Sequence, residues 1–158
     1  MRAVVLADTH SRPLPPRAVE ELEHADLILH AGDVVDGDYL AALGQHALVH
    51  AVLGNNDHGL RGVLPETLVV ELDGVRVAMI HDTGARTGRE ARVKRRFPHA
   101  DIVVFGHSHI PWDAEGLDGQ WLFNPGSATQ RRAQPQCTLG VLDIAAGRVC
   151  RRELVLLG

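Results

Sequence analysis

Cysteine, long apolar runs and excess positive charge are all scarce in this chain, and each scarcity excludes something. There are two cysteines, Cys137 and Cys150, among 158 residues. Their separation suits neither a thiolate metal site nor a redox pair. With a turn expected at Ala146-Gly147, Cys150 falls roughly opposite Leu142 and not Cys137. Free, mostly buried thiols are therefore expected, and with them a reducing, cytoplasmic setting. No apolar stretch approaches the ~20 residues of a membrane span. Met1 leads straight into an apolar run, without the successive charged, apolar and cleavage regions of a secretory leader. The formal net charge of -4 argues against a protein built to coat nucleic acid. Repeats, low-complexity tracts and linkers are absent too. With 45% hydrophobic and 23% charged residues, the chain reads as one domain, residues 1–158, with a core of its own.

What is present alternates between short apolar runs and polar clusters. Arg2 to Ala7 is a nearly continuous apolar run, as a strand buried on both faces would be. Pro15-Pro16 opens a helical spacing of Val19, Leu22 and Ala25. Asp26 to Leu29 reads as a strand. Asp36 to Gly44 reads as a helix with Asp36 as its cap. Ala47 to Leu53 is a third strand. Thr67 to Leu72 and Val75 to Ile80 flank Asp73-Gly74, a strong hairpin signal. A basic helix is expected from Thr87 to Phe97, stopped by Pro98, and then a strand from Asp101 to Phe105. Two hairpins close the chain: Ile110 to Glu115 with Gln120 to Asn124, and Cys137 to Ile144 with Arg148 to Leu156. The order is βαβαβ, then mostly strands with one helix. That suggests an α/β protein with a mixed sheet packed on a second sheet and helices outside.

The chemistry sits at the strand ends. Asp8-Thr9-His10, Gly32-Asp33, Gly54-Asn55-Asn56-Asp57, His81 and Gly106-His107-Ser108-His109 each follow an apolar run. In open α/β sheets that is where ligands bind. Asp8 with His10, and His107 with His109, are each two residues apart, so one loop can offer both side chains to cations. Asp33 can give one carboxylate oxygen to each of two ions. Asn55 offers a neutral carbonyl oxygen, and His81 completes the count. Mixed nitrogen and oxygen donors suit Mn, Fe, Co, Ni or Zn better than Ca or Mg. Two ions about 3.5–4 Å apart can generate a hydroxide at neutral pH and hold a phosphoryl group against it.

In order and in spacing, these five clusters resemble the calcineurin-like metallophosphoesterase superfamily. The length, the Asp-Thr-His opening and Asn124-Pro125-Gly126-Ser127 are similar to its small single-domain phosphodiesterases from bacteria and archaea. The likeness runs from about Arg2 to Leu156. It implies a two-sheet αββα sandwich. It implies one metal on Asp8, His10, Asp33 and His109, and a second on Asp33, Asn55, His81 and His107. Manganese is the expected metal, with nickel, cobalt, iron or zinc as alternatives. The expected activity is phosphodiester hydrolysis by in-line attack of a metal-bridging hydroxide, with Asp33, Asn55 and His81 acting through that hydroxide and no covalent phosphoenzyme.

Two positions depart from the family's pattern. Many members place a His, which helps protonate the leaving group, where this chain has Asn56. Asn56 is no acid, so activated leaving groups are expected to be preferred, with His58 a weak candidate acid. Asp82 follows His81 where relatives often have Gly. It either supports a ligand or caps the turn. His30 reads as structural or as a support to the ligands, and His24, His46, His50 and His99 as surface residues. Arg89, Arg92 and Arg96 share a helix face that reads as solvated. Arg12, Arg61, Arg86 and Arg131, on loops near the motifs, are the better phosphate contacts. Trp112 and Trp121 read as packing residues.

A small phosphoester is the expected partner. A nuclease or nucleotide hydrolase with the same centre is the alternative enzyme, with nucleic acid as the less favoured partner. A scaffold resembling the superfamily's retromer subunit is the non-enzymatic alternative. Self-association is compatible with exposed strand edges. No membrane partner is expected.

Overall fold

A computed structural model describes residues 1–158. Strands β1 (Arg2–Leu6), β2 (Leu27–His30), β3 (Leu48–Ala51), β9 (Thr138–Ala145) and β10 (Arg148–Leu156) form one sheet, in the order β10-β9-β1-β2-β3. Strands β4 (Thr67–Leu72), β5 (Val75–Ile80), β6 (Ile102–Val104), β7 (Trp112–Glu115) and β8 (Trp121–Asn124) form the other, in the order β4-β5-β6-β8-β7. Helices α1 (Pro16–Glu23), α2 (Gly37–Gly44) and α3 (Arg89–Arg96) lie between strands in sequence, and a one-turn 3-10 helix spans His58–Leu60.

The apolar runs are continuous because both faces of each sheet are covered. Along β1, Ala3 and Val5 point into the core between the sheets with Leu29, Val77, Met79, Ile102 and Phe123. Val4 and Leu6 point the other way, toward Ala18, Leu22 and Leu43 of α1 and α2. On the far side, Val93 of α3 and Phe97 just after it pack on Ala78, Val103 and Phe105. The layers are therefore αββα, the expected sandwich. Pro16 starts α1 where a missing N–H costs nothing. Asp36 caps α2 by accepting the Tyr39 N–H at 2.8 Å. No helix is long and apolar enough to cross a membrane.

β1, β2 and β3 run parallel, as do β5 with β6 and β6 with β8. Their C-terminal ends bring the loops after β1, β2, β3, β5 and β6 to one side of the molecule, which positions the site.

Three expectations need correction. Cys150 is exposed and Cys137 only half-buried. Arg152, not Cys150, faces Leu142, because a β-bulge between Val149 and Arg151 leaves Cys150 without a partner. The arginine face of α3 is not simply solvated. Arg89 is buried, its guanidinium 4.9 Å from the Phe105 ring centre and 5.2 Å from that of Trp112. Arg92 donates to the carbonyls of Thr83, Ala85 and Thr87, tying the loop after β5 to the helix.

Candidate metal centre

All seven residues proposed from the motifs converge. Nε2 of His10 lies 3.6 Å, and Nε2 of His81 3.5 Å, from Oδ2 of Asp33. Nε2 of His109 lies 3.7 Å, and Nε2 of His81 3.8 Å, from Oδ1 of Asp8. Oδ1 of Asn55 is 2.9 Å from Nε2 of His81 and 3.1 Å from Nδ1 of His107. Potential ligand atoms of Asp8, His10 and His109, and likewise of Asp8, Asp33 and His81, lie within 4.8 Å of one another. Asp33 thus faces imidazoles of both halves of the cluster, as a carboxylate shared between two ions would.

The loops are held in conformations that need support. Asp8, His10, Asp33, His107 and His109 have φ of 54°, 49°, 61°, 75° and 61°. For residues with a Cβ this left-handed region costs of order 1 kcal/mol each. Hydrogen bonds enforce it. The Asp8 and His10 amides donate to the carbonyls of Gly32 and Asp33, at 2.9 Å each. The His107 amide donates to Oδ2 of Asp8 at 2.9 Å. Gly54 has no room for a side chain, since a Cβ there would fall 2.2 Å from both the amide nitrogen and Oδ1 of Asp33.

Donor and acceptor chemistry fixes which imidazole nitrogens are free. Nδ1 of His81 is 2.7 Å from the Ala31 carbonyl, and Nδ1 of His109 is 2.7 Å from that of Gln130. A carbonyl only accepts, so each Nδ1 carries a hydrogen, and in the neutral ring each Nε2 presents a lone pair to the cluster. His30, fully buried, accepts the Gly32 N–H on Nδ1 and meets the Thr9 hydroxyl with Nε2. It supports the ligand loops and ligates nothing.

The electrostatics are those of a site built around positive charge. Burial pushes the Asp8 carboxyl up to about 7. Burial would raise Asp33 as well, but hydrogen bonding and charge from His81, with hydrogen bonds from Asn56, hold it well below the usual carboxylate range. Burial would lower His81, yet the Asp33 and Asp8 carboxylates outweigh it and raise it. Burial lowers His10 and His109, favouring the neutral, ligating form, and pushes His30 down to about 3. Oδ1 of Asp8, Nε2 of His10 and Nε2 of His109 are buried with no hydrogen-bond partner. Each such orphan costs about 1–3 kcal/mol. A divalent cation among them removes that cost, so the residues fit a metal.

Several supporting residues carry no metal-ligand pattern. Asp57 is buried and accepts the amides of Asp33, Val35 and Gly54 at 2.9, 2.6 and 2.7 Å. Asn56 donates its backbone N–H to Oδ1 of Asp33 and its side-chain amide to Oδ2, both at 2.9 Å. In the Asn124-Pro125-Gly126-Ser127 turn, the Ser127 hydroxyl donates to the Asp8 carbonyl at 2.8 Å. Asp82 caps its turn, accepting the Gly84 amide at 2.8 Å, and its Oδ2 lies 3.7 Å from Nε2 of His107. His58 is exposed and turned to Arg61, outside the cluster. Arg131 donates to the backbone carbonyls of Arg132 and Gln134, and Arg86 sits 4.7 Å from the Trp112 ring centre. Of the four arginines proposed as phosphate contacts, Arg61 lines a groove that also touches Asn55 and His81.

Comparison with known proteins gives the family and the fold. Residues 1–147 match the calcineurin-like phosphoesterase superfamily domain. A probable metallophosphoesterase of Methanocaldococcus jannaschii is 34% identical over 143 residues, covering 85% of this chain and 70% of the relative. Zinc-complexed Vps29 from Entamoeba histolytica shares the fold with a TM-score of 0.78, at 24% identity over 100% of both chains. An archaeal phosphodiesterase does so with a TM-score of 0.75, at 22% identity over 98% of this chain and 100% of the other. With its five clusters gathered at one end of an αββα sandwich, the chain belongs to the calcineurin-like phosphoesterase superfamily.

Proposed function

We propose that the protein is a binuclear metal-dependent phosphodiesterase. The observation that carries this reading is the set of three buried, unpartnered donor atoms on Asp8, His10 and His109 beside a carboxylate, Asp33, that faces His10 and His81 together. In this reading Asp8, His10, Asp33 and His109 hold one ion and Asp33, Asn55, His81 and His107 the other, manganese being the first candidate. Bound there, the ions supply Lewis acidity that makes water nucleophilic near neutral pH and offsets charge on the phosphoryl oxygens.

The chain's own residues do the rest. The Ala31 and Gln130 carbonyls keep the protons of His81 and His109 on Nδ1, so that Nε2 stays available. Asn56 and Asp57 fix Asp33 from opposite ends, through its carboxylate and its amide. Asn56 has no proton to give a departing alkoxide, which favours esters whose alcohols leave readily as anions. A diester needs two arms accommodated, and the groove beside Asn55 and His81 offers one of them a place.

The test is hydrolysis of bis-p-nitrophenyl phosphate and p-nitrophenyl phosphate by metal-stripped protein, with Mn, Ni, Co, Zn or Mg restored singly. Metal-restored cleavage favouring the diester, lost in Asp33→Ala, is expected. Cleavage of the monoester alone would refute the diesterase reading.

A scaffold role is the second reading, favoured by the fold likeness to Vps29 over the whole chain. It expects tight metal binding without turnover of either ester.

A further inference from the structure

A groove leads away from the cluster, and its charges point to what lies in it. A hollow of about 620 Å³ touches Asn55 and His81 and is bounded by Arg61, Glu66, Asp82 and Arg96. A second, of about 400 Å³, shares Ile80, Asp82 and Arg96 with the first and continues along α3. Together they form one trough from the candidate metal centre to the helix.

Three guanidinium groups border this trough and none pairs with a carboxylate; Arg92 is committed to backbone carbonyls, which leaves Arg61 and Arg96. Arg61 has one polar neighbour, Nδ1 of His58 at 3.2 Å. Arg96 lies near the ring of its own neighbour Phe97, 5.9 Å from the centroid. Elsewhere in the chain, Arg2, Arg17, Arg151 and Arg152 pair with acids. The C-terminal turn of a helix favours cations, but Lys94 and Arg95 serve that end of α3 equally, and of the three only Arg96 lines the trough. The acids there form no ion pair with either Arg61 or Arg96. Asp82 accepts the Gly84 amide and faces His107 at 3.7 Å, so the trough's two carboxylates, Asp82 and Glu66, stand against three guanidiniums, those of Arg61, Arg92 and Arg96.

We infer that the trough is the subsite for one ester arm of the substrate, and that this arm carries a phosphate of its own. The guanidinium fork matches phosphate oxygens with two parallel hydrogen bonds, which a lysine could not do. The inference rests on the phosphodiesterase reading for the identity of the ester, but the trough's selectivity is measurable without turnover. The substrate class is a small organic diester bearing a second, terminal phosphate.

The experiment is calorimetric titration of zinc-loaded protein with diethyl phosphate and with ethyl 2-phosphoethyl phosphate, two alkyl diesters that hydrolyse slowly. The phosphorylated diester is expected to bind about tenfold more tightly or better. Arg61→Ala with Arg96→Ala should bring the two affinities together, as should the bulkier pair Arg61→Gln with Arg96→Gln, while Arg95→Ala keeps the preference. Equal affinity in the unaltered protein overturns the inference. So does a preference that survives both double variants, which would place the added phosphate on the metals. Loss of p-nitrophenyl diester turnover bears on the proposed function and leaves these affinities to decide the subsite.

Discussion

Asp57 holds Asp33 by its backbone: Oδ2 of Asp57 accepts the Asp33 amide at 2.9 Å and the Gly54 amide at 2.7 Å. One buried carboxylate thereby ties the loop after β2 to the loop after β3, and so Asp33 to Asn55. Asp57→Ala leaves three amides without an acceptor, two of them buried. The expected result is a loss of about 3 kcal/mol in urea unfolding of the metal-free protein. Metal affinity should fall about 10–100-fold, read by calorimetric titration. Unchanged affinity would mean that Asp33 is placed by something else.

Asp8 makes stability depend on pH and on metal. Its carboxyl is pushed from 3.8 to about 7 by burial. Because the folded value is raised, the contribution to stability is complete below about pH 4 and is lost as pH rises toward 7. Asp33, held low, works in the opposite sense: its contribution is present above about pH 4 and lost on acidification. Above pH 7 the metal-free protein therefore carries a buried, ionised Asp8. Asp8→Asn should stabilise the metal-free protein at pH 8 by up to about 4 kcal/mol, a gain that shrinks as pH is lowered toward 4. The same variant should lose metal binding. Thermal melts across that range, with and without metal, check both signs.

Asn56 bears on the leaving group. Its side-chain amide is bonded to Oδ2 of Asp33 and has no proton to transfer. Diester rates should therefore fall steeply as the leaving alcohol becomes less acidic. Asn56→His should flatten that dependence, with roughly 10²-fold or more to be gained for the poorest leaving groups. A series of substituted phenyl diesters measures the slope, and identical slopes in the two proteins would remove Asn56 from the explanation.

The sequence made the ligand set readable because the sheets impose it. An apolar run that must be buried on both faces ends where the strand ends, and the first polar residues beyond it lie at the sheet edge. Asp8, Asp33, Asn55, His81 and His107 all follow such runs, and the structure gathers them. Asp57 sits within one of these motifs, but its role was not readable. Two of its three partners are backbone amides of Asp33 and Val35, more than twenty residues away, and backbone partners leave no mark in side-chain pattern. Arg89 misled for the opposite reason. A cation on a helix reads as solvated, and only tertiary packing sets the Arg89 guanidinium against Phe105 and Trp112. The bulge at Cys150 lies outside what strict strand alternation can express.

Metal stoichiometry tests the central claim most directly. Equilibrium dialysis of stripped protein against manganese, followed by elemental analysis, should give two ions per chain, with Asp33→Ala losing both sites or retaining one weakened site. One ion in the unaltered protein, or two retained undiminished in Asp33→Ala, would contradict a binuclear centre built on that carboxylate.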